Sequence, residues 1–188
     1  MNDPRWIIAI VIVVVILAFV AWLVVKSRRQ ARLRTQFGPE YPRAVRKYGS
    51  VARAESALEA RRQRVRALEI RPLTVEEADR FAASWRTTQA RFVDDPPRAI
   101  AEADRLVQAV MDARGYPVGD FEQRVDDISV DHPGVVEYYL AAHRIAVSSG
   151  HNHAGTEELR QAMMHYRSLF EDLLEVPDEG PRRMEAGR

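Results

Sequence analysis

Thr74–Pro117, TVEEADRFAASWRTTQARFVDDPPRAIAEADRLVQAVMDARGYP, carries two complete helix signatures end to end. Thr74 and Glu77 have capping-box spacing, in which a hydroxyl accepts from the third residue's amide and the carboxylate reaches back to the amide of the cap. Ala78, Phe81, Ala82, Trp85, Thr88 and Phe92 then recur every three or four positions, one face of a helical period. Asp94-Asp95-Pro96-Pro97 supplies a cap and a proline start. Ile100, Ala103, Leu106, Val107, Val110 and Met111 make the next stripe, and Gly115 with Pro117 beyond it is the stop. Two amphipathic helices joined by a short turn are expected.

The same grammar extends in both directions. Asp120 and Gln123 open a short helix bearing Phe121, Val125 and Ile128. Asp131, beside His132-Pro133, is expected to cap a helix with Val136, Tyr139, Leu140, His143 and Val147 inward. Residues 150–155 read as a loop. Thr156 opens a last helix facing inward with Leu159, Met163, Tyr166, Phe170 and Leu173, and residues 177–188 read as a disordered tail. Upstream, Ser50 caps a helix to about Glu69 whose Val51, Ala54, Leu58, Val65 and Leu68 form a heptad-like seam, with Arg61 at one place where an apolar residue is expected. No strand pattern appears. The fold class is all-α: an N-terminal transmembrane helix, then a soluble bundle of about five or six helices over residues 50–176.

The membrane assignment rests on Trp6–Val25, WIIAIVIVVVILAFVAWLVV, twenty residues without a charge. At ~1.5 Å per residue such a helix spans ~30 Å, the thickness of a bilayer's hydrocarbon core. A cleaved signal peptide would have a shorter apolar core and small residues at its cleavage site, and a buried core helix would be shorter and less uniform. An uncleaved anchor fits. Arg5 precedes the run and Lys26, Arg28, Arg29, Arg32 and Arg34 follow it, which orients the C-terminal side to the cytoplasm. The helix is expected to continue to Gln36, where Gly38-Pro39 breaks it. Ala18 and Ala21 are a weak small-residue pair for helix packing, without a GxxxG.

Charge follows the same axis. Residues 26–53 carry nine positive charges against Glu40 alone, a net of +8; residues 54–188 carry eighteen Arg against twenty-five acids, a net of −7. Juxtamembrane cations attract anionic lipid headgroups by about 1 kcal/mol each, so Lys26, Arg28, Arg29, Arg32 and Arg34 are candidate membrane-surface residues. The basic segment has no nucleic-acid reading motif and few aromatics, so no nucleic-acid partner is expected. The 26 Arg against 2 Lys point to a GC-rich coding sequence. Absence of cysteine removes disulfides, thiolate metal sites and a Cys nucleophile.

Five segments, FGPEY (Phe37–Tyr41), IRPL (Ile70–Leu73), RFVDDP (Arg91–Pro96), RGYPVGDFEQR (Arg114–Arg124) and SVDHP (Ser129–Pro133), resemble in order a family of single-span membrane proteins of high-GC bacteria. The resemblance covers roughly residues 36–175. It implies no activity, ligand or catalytic residue, and because some members are described as secreted it implies the opposite topology as an alternative.

Three constellations could carry chemistry. His151-Asn152-His153 places two imidazoles in a Gly-flanked loop, a metal candidate that would need further ligands from His132, His143, Asp131 or Glu137. Glu122, Asp126, Asp127 and Asp131 could pair carboxylates, but without EF-hand spacing they read as a solvated acidic face with Asp120 and Asp131 as caps. Arg114-Gly115-Tyr116-Pro117 reads as a helix stop, with Tyr116 packed back on the helix it ends. No P-loop, GxGxxG, GxSxG or HExxH is present, and no cofactor is implied. The expected function is a non-enzymatic interaction or scaffolding module, bound to the bilayer and to a protein partner or a second copy of itself. The alternative is a metal-dependent enzyme or metal-binding protein using His151 and His153.

Overall fold

The computed structural model describes the backbone of residues 4–150 and 154–174 and the side chains of 12–149 and 154–174. All regular structure among them is helical: α1 (Pro4–Phe37), α2 (Glu40–Tyr48), α3 (Val51–Arg66), α4 (Val75–Arg91), α5 (Pro96–Arg114), α6 (Phe121–Asp131), α7 (Val136–Gly150) and α8 (Thr156–Leu174), with a 3-10 turn at Pro133–Val135. The helices form two compact units, residues 1–60 and 61–188.

In the first unit α1 runs unbroken from the apolar stretch through the basic one. Gly38, at φ 42°, reverses the chain after Phe37. The short stretch around Tyr41-Pro42 and Tyr48-Gly49 forms a helix of its own, ahead of the six helices, α3–α8, that occupy the expected bundle region. Pro42 is tolerated there because it lies in the first turn, where its missing N–H would have no intrahelical partner. Gly49, at φ 69°, closes α2 with its amide on the Val45 carbonyl at 2.9 Å. Leu33, Phe37, Tyr41, Ala44, Ala54 and Leu58 are buried. Tyr41 fastens this cluster: its hydroxyl donates to Glu55 at 2.8 Å and accepts from Gln30 at 3.2 Å.

The second unit centres on α5 and α8, with α7 packed on both and α4 on α5. The Thr74–Glu77 capping box forms as the spacing predicts. Asp95 and Asp120 cap α5 and α6 by accepting from Arg98 and Gln123. The expected stripes meet in one core holding Trp85, Ile100, Val107, Met111, Val125, Ile128, Tyr139, Tyr166 and Phe170. Trp85 stacks on Phe170 at 4.7 Å between ring centroids, worth about 0.5–1.5 kcal/mol beyond the area buried.

Gly115 ends α5 at φ 94°, with its own amide on Asp112 and that of Tyr116 on Met111, each at 2.9 Å. The strand-like stretch after α3 passes directly over this stop: Arg71 N–H donates to Arg114 C=O at 2.9 Å, and Leu73 is buried. Arg114 in turn donates to the Leu173 carbonyl near the end of α8. Tyr116 is buried in the core that holds Val110 and Met111 of α5, and it also makes a bond not read from the sequence. Its hydroxyl donates to Asp131 at 2.8 Å. Asp131 therefore ends α6 and anchors Tyr116 rather than capping α7, whose approach is set by the Pro133–Val135 turn. On α7, Val136, Tyr139 and Ala142 face inward, whereas Val147, expected inward, is 51% exposed.

Candidate functional site

Two regions of the described chain carry functional potential. The first is α1. Its large apolar side chains from Ile12 to Val25 are 43–66% exposed, all round the helix. Lys26, Arg28, Arg29, Arg32 and Arg34 follow immediately, and Leu33 and Phe37 then enter the core of the first unit. Among the described residues no helix is long and apolar enough to cross a membrane. Part of the Trp6–Val25 run, residues 6–11, lies outside the described side chains; the fourteen residues Ile12–Val25 alone reach ~21 Å as a helix.

The five cations differ in their surroundings. The Lys26 ammonium sits over the Trp22 ring at 5.1 Å and the Arg34 guanidinium over the Tyr41 ring at 5.2 Å. Arg29 reaches Glu59 at 3.9 Å. Arg28 and Arg32 are exposed.

The second region is an open groove of about 380 Å³ between α5 and α7, with Asp104, Arg105, His143 and Ser149 among its walls. Asp104 is held by the Tyr166 hydroxyl at 2.8 Å and the Gln108 amide at 2.6 Å. His143 stacks on Phe121 at 3.6 Å, and burial lowers its pKa against the opposing pull of Asp104. Its Nδ1 lies 3.8 Å from Asp104 Oδ1, too long for a hydrogen bond, so the pair is not an assembled acid–base relay. Behind it, Arg124 donates to the Tyr139 hydroxyl and to the Val118 and Gly119 carbonyls. Burial raises the Tyr139 phenol to about 12 and pushes Tyr166 up further.

The acidic cluster does structural work. Asp126 pairs with buried Arg61 at 2.6 Å, and Asp127, fully buried, pairs with Arg64 at 2.6 Å. Asp127 is therefore no part of a solvated face, and Arg61 in the α3 seam has a carboxylate as its reason. His132 bonds Asp172 on α8, away from His143 and Asp104. Among the described residues no group of three or more His, Cys, Asp or Glu could hold a metal. His151 and His153 lie outside the described residues, as does the 177–188 tail. Sequence reasoning did not find the Asp104 groove or the burial of Arg124, because neither lies in a motif; Arg61 was visible as a charge in an apolar register.

No family model, curated protein or solved structure matches the chain.

Proposed function

We propose that this is a single-span membrane protein that holds a helical interaction module at the cytoplasmic surface, binding a protein partner or a second copy of itself. One observation carries the reading: α1 is apolar on every side from Ile12 to Val25 and nothing in the described chain covers it. A helix hydrophobic all round belongs in a core or a bilayer. Removing each large side chain from water is worth about 1.5–3 kcal/mol, and lipid is the environment that recovers this for all faces at once. The uncharged run of twenty residues supplies the span, and the cations after it supply direction and affinity for anionic headgroups. Tethering raises local concentration, so weak contacts by the acidic distal unit suffice for partner binding.

A topology reporter fused after Arg188, combined with alkaline carbonate extraction, tests the reading. Carbonate-resistant membrane association with the reporter in the cytoplasm is expected. Release into the supernatant would remove the anchor, and a periplasmic reporter would turn the module outward, as the secreted members of the resembling family imply.

A further inference from the structure

The cations that follow the apolar run are not equivalent. Lys26 is engaged with Trp22, Arg29 with Glu59 and Arg34 with Tyr41. Arg28 and Arg32 are exposed and meet no ring or carboxylate among the described residues. They stand four residues apart, hence on one face of α1. The buried pair Leu33 and Phe37 fixes how α1 is rotated within the first unit. At ~100° per residue the Arg28–Arg32 face points ~140° away from that core face, so neither guanidinium lies against the core of the first unit.

Depth admits the same two residues along with Lys26 and Arg29, which Trp22 and Glu59 already engage. Counting from Val25 at ~1.5 Å per residue, Arg28 lies ~4.5 Å, Arg32 ~10.5 Å and Arg34 ~13.5 Å beyond the apolar run. A headgroup layer is roughly 5–8 Å thick per leaflet. Helical side chains lean toward the helix N-terminus, which here is the bilayer side, so Arg32 reaches back toward the layer that Arg28 already occupies. Two guanidinium forks on one helix face, about one turn apart, match the oxygens of a phosphate better than ammonium groups would. Resting on the anchored reading above, we propose that Arg28 and Arg32 form a clamp for the headgroup phosphate of an anionic phospholipid, and that this pair, rather than the whole basic segment, sets the anchor's lipid preference.

The test uses the full chain in mild-detergent micelles doped equally with phosphatidylglycerol and phosphatidylcholine, with bound lipid read by native mass spectrometry. The wild type retains phosphatidylglycerol preferentially. Arg28→Gln/Arg32→Gln lowers that preference about thirty-fold, whereas Arg29→Gln/Arg34→Gln and Lys26→Gln each lower it less than about three-fold. Undiminished preference in the Arg28/Arg32 variant, or an equal loss in the Arg29/Arg34 variant with unchanged helicity, overturns the clamp. So does loss of the preference on adding millimolar inorganic phosphate, which would make free phosphate the occupant. Carbonate extraction separates the two levels: release of the wild type overturns anchor and clamp together, and retention without an Arg28/Arg32 effect overturns the clamp alone.

Discussion

Gly115→Ala probes the joint on which the second unit closes. The residue sits at φ 94°, and a Cβ there would lie 2.6 Å from the Glu69 carbonyl oxygen and 3.3 Å from its carbon. The left-handed conformation costs an L-residue about 1–2 kcal/mol. The contact is with backbone, so it is relieved only by moving the chain at Glu69–Ile70, two residues from the amide that bonds Arg114 at 2.9 Å. Overpacking of this kind costs about 1–3 kcal/mol, and the smaller entropy of the unfolded alanine chain returns about 0.4–1 kcal/mol. The expected net loss is about 2–4 kcal/mol. Gly49→Ala is the internal control: its φ is 69° but the nearest atom to a Cβ is the end of the Arg53 side chain at 3.6 Å, so only the conformational cost applies. Urea unfolding of the full chain in micelles, followed by far-UV circular dichroism, measures both. A Gly115→Ala loss below about 0.5 kcal/mol, or one no larger than that of Gly49→Ala, would mean that the Glu69 carbonyl does not cover the end of α5.

Two further outcomes follow from buried charge. Arg61 is 3% exposed and its partner Asp126 22%, so removing the carboxylate takes an anionic partner from the more buried ion: Asp126→Ala is expected to cost about 3 kcal/mol, whereas Arg61→Met, apolar in a seam with Leu58 and Val65, is expected to be neutral or stabilising. The reverse order in denaturant titrations would refute the burial argument. Burial disfavours the charged form of His143, so its folded pKa lies below the unfolded value of about 6.5 and the unfolded chain binds the proton more readily. Its contribution is full above that value and is lost as pH falls toward the folded pKa, with a slope of at most about 1.4 kcal/mol per pH unit; His143→Gln should flatten stability between pH 6.5 and 5, and an unchanged slope would assign it to other groups.

Helices were legible where local chemistry decides them. Thr74 with Glu77, Asp95 before two prolines, and Gly115 are each sufficient to start or stop a helix whatever surrounds them, and all three act as their residue types dictate. What local chemistry does not contain is long-range pairing. Asp131 has the residue type and position of a cap, but the Tyr116 hydroxyl, fifteen residues away, takes its carboxylate. Asp127 looks like one more surface acid until Arg64, sixty-three residues earlier, buries it. The helix at Glu40–Tyr48 was obscured by Pro42, although a proline in a first turn removes no hydrogen bond. The Asp104 groove had no signal at all, since its walls come from two helices and match no spacing rule.

The candidate membrane surface was legible as composition and became specific only through rotation. On the anchored reading, five cations after an apolar run would lie near headgroups, but composition gives each the same standing. Leu33 and Phe37 break that equivalence, because burying both fixes the angle of every residue on an unbroken helix. The apolar run cannot set this angle itself: with valine, leucine and isoleucine on all sides, lipid solvates any rotation about equally well. Depth and rotation therefore have separate origins. On the anchored reading the boundary between Val25 and Lys26 would set how far α1 enters, while burial of Leu33 and Phe37, worth about 1.5–3 kcal/mol each, holds it against turning. A basic stretch on a flexible linker would present a cloud of charge; on this helix the same residues are sorted into those the fold has engaged and the two, Arg28 and Arg32, that it leaves exposed.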